Sequence, residues 1–154
     1  MLLDRSSELI KFAREDIGMS QTDLARAAGM QQPTISAYES GRKRPRPETL
    51  QRLLTAARLR PSIPLELFAD VIRAEAGRFH LSNVRVFGST VRGEDNEHSD
   101  IDLLVSLEPG ASLFDLGGFA DAVEQLTGFE VDILTEDQTF DEHFSHVRDQ
   151  AVPL

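Results

Sequence analysis

Gly88-Ser89 is followed, ten residues on, by Asp100-Ile101-Asp102 and then the apolar run Leu103-Leu104-Val105. Side chains in a strand alternate faces, so Asp100 and Asp102 leave one side while Ile101, Leu103 and Val105 leave the other. Two carboxylates held that close repel by roughly 1–4 kcal/mol, depending on the local dielectric. Such a pair calls for a proton or a divalent cation. Hard oxygen donors suit Mg²⁺, which takes few carboxylates together with phosphate oxygens. The stretch Phe129–Thr135 repeats the pattern, with Phe129, Val131 and Ile133 on one face and Asp132 on the other. Beside the first strand, Asp132 would complete three carboxylates around two metal ions, the equipment for in-line phosphoryl or nucleotidyl transfer. Gly88 lets the backbone approach a ligand closely. Ser89 opens a short helix and adds a hydroxyl, and Arg92, one turn on, could reach the same phosphate oxygens.

A second set of residues suits a different chemistry. Two short helical stretches, Gln21–Ala28 and Gln32–Ser40, are joined by a turn at Gly29-Met30 and followed by the basic run Arg42-Lys43-Arg44-Pro45-Arg46. That layout fits a helix-turn-helix whose second helix reads base edges in the major groove. By position the base-facing candidates are Gln32, Thr34, Ser36 and Ala37, with Gln32 suited to adenine. Arg42, Lys43 and Arg44 would neutralise phosphates. Ala25, Ile35 and Leu50 read as core.

The elements that must carry these residues follow from periodicity. Leu9, Ile10, Ala13 and Ile17 mark a helix over 6–17 with Ser6 or Ser7 as its cap. Ser20 with Asp23 resembles a capping box. Residues 47–58 form a fourth helix, and Leu59–Pro64 reads as a linker. Beyond it lie an amphipathic helix over 65–79, strands over 83–88, 100–107 and 129–135, a helix over 113–127 weakened by Gly117-Gly118, and a short helix within 141–150. Glu94, Asp95 and Glu97 read as a solvated loop. His98, His143 and His146 have no zinc-like spacing.

Charge divides the chain. Residues 1–60 carry 11 Lys and Arg against 7 Asp and Glu, whereas residues 61–154 carry 5 against 19, so two modules with different partners are expected. There is no cysteine, which excludes disulfides and thiolate metal sites. No apolar run approaches the ~20 residues of a membrane span. The first residues are too acidic and too short in apolar length for a signal peptide. A cytoplasmic protein is expected.

The pieces SQTDLARAAGM, QQPTISAYESGRKRP and ETLQRLLTA resemble the Xre/Cro-type helix-turn-helix family. The resemblance makes Gln21 a phosphate-binding residue. The phrase VRVFGSTVRGEDNEHSDIDLLV, Asp132 and the tail HFSHVRDQAVPL resemble the minimal nucleotidyltransferases of the polymerase-beta-like superfamily. Together they imply an all-α helix-turn-helix domain over 1–60, then a small mixed-sheet α/β nucleotidyltransferase domain over 65–154. The second resemblance implies two Mg²⁺ on Asp100 and Asp102, with Asp132 on one of them and aligned with the attacking oxygen. ATP would be held by Gly88, Ser89 and Arg92. The same family implies transfer of AMP to a partner ribonuclease toxin of the HEPN type, hence an antitoxin that represses its own operon, working as a homodimer or hetero-oligomer. Two other readings stay open: a catalytically idle antitoxin that neutralises by contact, and a nucleotidyltransferase toxin acting on RNA.

Overall fold

The structure is a computed structural model that describes residues 3–154. Four helices come first: α1 (Ser6–Asp16), α2 (Gln21–Ala28), α3 (Gln32–Glu39) and α4 (Pro47–Ala56). Helical spacing turns Leu9, Ile10 and Ala13 of α1 inward against Leu24, Ile35 and Leu53. Ala25 and Leu50 are buried with them. Ser20 and Asp23 form a complete capping box at the start of α2, and Gly29 ends that helix in the left-handed conformation. Pro33 and Pro47 sit in first turns, where no amide is needed. The expected serine cap of α1 does not form. Arg5 occupies the cap position without a side-chain capping bond, because a 3-10 turn over Leu3–Arg5 brings Ser6 inside the helix, where it is buried. Arg14 on α1 makes a two-pronged bond to Glu39 at the end of α3, at 2.9 and 2.8 Å, and donates to the carbonyl of Met19. That pair ties the first helix to the last turn of the third.

The stretch read as a linker is helical from Ser62. α5 (Ser62–Leu67) and α6 (Ala69–Arg78) replace the single helix expected over 65–79, with the break at Phe68. The bend lets Leu65, Phe68 and Ile72 all be buried, and the Arg5 guanidinium lies over the Phe68 ring at 5.6 Å. One contiguous core therefore runs from Leu9 through Leu59, Leu65 and Phe68 to the sheet.

The sheet has the order β3-β2-β1-β4. β1 (Leu81–Phe87) pairs antiparallel with β2 (Ile101–Leu107), with a bulge between Ser82 and Arg85. β2 pairs parallel with β3 (Val131–Thr135), a pairing that requires a crossover, supplied by α8 (Leu113–Thr127). β4 (Val152–Pro153) lies along the free edge of β1. The sheet has four strands rather than the three expected, since two residues that include a proline show no alternation to read. α8 stays unbroken across Gly117-Gly118. A Cβ on Gly118 would lie 2.5 Å from the Phe79 ring, so the missing side chain there makes room for an aromatic. Ile101, Leu103, Val105 and Val131 face the main core with Phe119 and Val123 of α8. The opposite face of β2 and β3 is partly covered by a 3-10 turn (Glu136–Phe140), against which α9 (Ser145–Gln150) packs.

Candidate active site

Parallel register places Asp102 of β2 directly beside Asp132 of β3. Paired residues on neighbouring strands, about 4.8 Å apart, point to the same face. Asp100 precedes β2 by one residue. Asp102 is half-buried, while Asp100 and Asp132 are exposed. Burial, reinforced by the charges of Asp132 and then Asp100, raises the pKa of Asp102 above the usual carboxylate range, and Arg92 opposes the rise weakly. The structure thus brings the three predicted carboxylates into one electrostatic neighbourhood. Among the described residues none of the three makes a hydrogen bond or an ion pair with protein.

Phe87, the last residue of β1, pairs with Asp102, so Gly88 lands against that carboxylate. Gly88 has φ 77° and ψ −150°, a region essentially reserved for glycine. A Cβ there would collide with Oδ2 of Asp102. Gly88 is thus required twice over, by its backbone and by its neighbour. Ser89 begins α7 (Ser89–Arg92), and its hydroxyl has no partner among the described residues. The Thr90 hydroxyl beside it is buried without one. Arg92 bonds Glu94 at 2.9 Å, so it reaches the carboxylates by charge alone.

No group of three or more His, Asp or Glu side chains among the described residues is gathered tightly enough to hold an ion unaided. The donor set nonetheless fits a hard divalent cation that brings phosphate oxygens with it. Its members are unpaired carboxylates, one of them half-buried and charged at a cost, beside a glycine that leaves the space open.

The loop read as solvated is largely engaged. The Asp95 side chain is fully buried. It accepts from Arg60 at 2.7 Å, from the Ser62 amide at 2.9 Å and from the Ser62 hydroxyl at 2.6 Å. Arg60 also makes two bonds to Asp16 at the end of α1. Its pKa is raised above the usual arginine value, by the Asp16 bond first and the Asp95 charge with it. Glu97 pairs with Arg58 at 2.9 Å. Asp95 reads as solvated in the sequence because a lone acid between Glu94 and Asn96 carries no signal of burial, and the structure buries it. The other residue missed is Gln150, whose Oε1 accepts from the Gly88 amide at 3.0 Å.

On the helix-turn-helix, Gln32 Nε2 donates to Gln21 Oε1 at 2.9 Å, which fixes one amide against the other. Thr34, Ser36 and Ala37 are partly exposed along α3. Arg42, Lys43 and Arg44 are exposed in the following loop, where Arg42 bonds the Ser40 hydroxyl and Arg44 lies 3.5 Å from Asp4.

A small mixed sheet with adjacent acids, a glycine-serine turn and a preceding four-helix unit defines a helix-turn-helix joined to a nucleotidyltransferase domain. The chain belongs to the nucleotidyltransferase domain family, which matches residues 69–151, more than half of its length. A helix-turn-helix family matches residues 10–62. The chain is 48% identical over 50 residues to a Methanocaldococcus jannaschii protein provisionally named a protein adenylyltransferase, covering 32% of this chain and 54% of that one. It is 42% identical over 57 residues to the protein adenylyltransferase MntA of Thermococcus cleftensis, covering 37% and 58%. The chain thus matches little more than half the length of these curated relatives. A solved structure described provisionally as a minimal nucleotidyltransferase superposes with a TM-score of 0.54 at 38% identity, covering 58% of this chain and 92% of that one. No helix among the described residues is long and apolar enough to cross a membrane.

Proposed function

We propose that this chain is an antitoxin with two activities. Its N-terminal half, residues 1–60, binds operator DNA through Gln21, Gln32, Thr34, Ser36, Ala37, Arg42, Lys43 and Arg44. Residues 65–154 transfer AMP from ATP to a hydroxyl of a partner toxin of the HEPN ribonuclease type. The single observation that supports the catalytic half is the register of Asp102 against Asp132, with Gly88 cut away in front of them.

Asp100 and Asp102, with Asp132, are the residues that would hold Mg²⁺, which neutralises charge on the triphosphate when bound. The chain's own groups do the rest. Gly88 and Ser89 seat the phosphates, and Arg92, released from Glu94, adds a positive charge beside them. Asp132 orients the attacking hydroxyl and accepts its proton. A new bond forms between that oxygen and the α-phosphorus, and the bond to the bridging oxygen breaks, releasing pyrophosphate. The helix-turn-helix half, working as a homodimer or hetero-oligomer, would let the same polypeptide repress its own expression.

Incubation with α-labelled ATP, Mg²⁺ and the product of the neighbouring gene tests this. Label is expected on that protein with the wild type and on nothing with Asp100→Ala or Asp102→Ala. Labelling by either variant overturns the assignment. Neutralisation of the partner by both variants without labelling would instead establish inhibition by contact.

A further inference from the structure

Glycine's backbone samples wide conformational space, so a glycine holds one unusual conformation only when something outside it fixes the adjoining peptide planes. Gly88 is such a case. Its carbonyl accepts from the Arg92 amide at 3.3 Å within α7. Its amide points out of the turn, and the acceptor it finds is the Gln150 side chain at 3.0 Å, from a residue 62 positions away.

The tail that delivers Gln150 is itself anchored. Gln150 is the last residue of α9, and Ala151 closes the helix with a bond to the Val147 carbonyl at 2.8 Å. Val152 and Pro153 then pair with Val86 and Arg85 along the edge of β1, and the Leu154 amide bonds the Val84 carbonyl at 3.1 Å. Pairing along β1 stops just short of the turn, and the glutamine side chain reaches the first amide past the strand. The Nε2 group of Gln150 has no protein partner among the described residues.

We infer that Gln150 is a positioning residue for the nucleotide site: by capturing the Gly88 amide it holds the Gly88-Ser89 turn open against Asp102, so that phosphates can be seated between them. This rests on the reading of Gly88, Ser89 and Asp102 as that site. Loss of the bond frees the glycine and lets the turn shift with respect to the carboxylate. Only side chains long enough to reach the amide and able to accept from it can substitute. Glutamate meets both requirements, leucine lacks the acceptor, and asparagine lacks the reach.

The test uses the full chain with Mg²⁺ and the α,β-methylene analogue of ATP, which cannot transfer AMP. Binding is measured by calorimetry, and exchange of the Gly88 and Leu154 amides by NMR. Gln150→Leu is expected to weaken analogue binding about tenfold and to speed exchange at Gly88, with Leu154 still protected. Gln150→Glu should restore slow exchange at Gly88, and Gln150→Asn should not. Analogue binding by Gln150→Leu within twofold of wild type overturns the inference, as does an unchanged Gly88 amide. If the leucine variant also releases Leu154, the comparison of glutamate with asparagine decides, and equal exchange at Gly88 in the two refutes it. Failure of the wild-type chain itself to bind the analogue sinks the reading of the site, and the inference with it.

Discussion

Asp102 carries a charge that the fold resists. Its carboxyl has a raised pKa, chiefly from burial and then from Asp132 and Asp100. For an acid shifted upward, the folded state holds the proton more tightly than the unfolded chain. The stabilisation is therefore complete below the ordinary aspartate range and is lost as pH climbs through the elevated value. Asp102→Asn, a permanent stand-in for the protonated form, should therefore stabilise the metal-free protein at neutral pH, by on the order of 1 kcal/mol. That advantage should vanish in acid, as followed by thermal unfolding across pH. Gly88 invites the converse change. Gly88→Ala forces a Cβ into the Asp102 carboxylate and strains a backbone that alanine avoids. A loss of about 2–4 kcal/mol in urea unfolding is expected, with a smaller loss in an Asp102→Ala background, where the clash is relieved and only the strain remains.

At the scale of elements, α3 and the loop after it are the surface that the proposed function turns toward DNA. The bond between Gln21 and Gln32 fixes the Gln32 amide before any base arrives. Gln32→Ala should cost about 1–3 kcal/mol in operator binding, confined to one base position. Lys43→Ala should weaken all sequences alike and reduce the salt slope of binding by about one. Fluorescence anisotropy over a salt series separates the two. These helices were legible in the residues because each signal was local: the Ser20–Asp23 box, prolines in first turns, a glycine after α2. The strands carrying Asp102 and Asp132 were legible for a similar reason, alternation of apolar and acidic side chains. Their register was not, since it is set by α8 and its packing, which span residues far apart in the chain. α8 also defied its Gly117-Gly118 pair, because the space under Phe79 outweighed helix propensity.

Over the whole molecule, the boundary expected at the linker is bridged by packing and charge. The core is continuous from α1 to the sheet. Arg60 joins Asp16 on one side to the buried Asp95 on the other, in the loop that leads to Asp100. Removing one partner of a buried pair strands the other's charge, so Arg60→Ala should cost about 3–5 kcal/mol. The wild type should unfold in one transition, and Arg60→Ala should separate unfolding into two, as read by calorimetry. None of this was visible in the charge contrast between the two halves, which describes their surfaces and not the seam between them.

In the proposed function, Asp102 and Asp132 share one cation with a nucleotide's phosphates. Electron paramagnetic resonance of Mn²⁺ titrated into the protein with ATP measures this directly. The wild type should immobilise Mn²⁺ only when ATP is present, Asp102→Asn and Asp132→Asn should each lose at least tenfold in affinity, and Lys43→Ala should bind as the wild type does. Equal Mn²⁺·ATP binding by the wild type and both asparagine variants would show that neither carboxylate holds the cation.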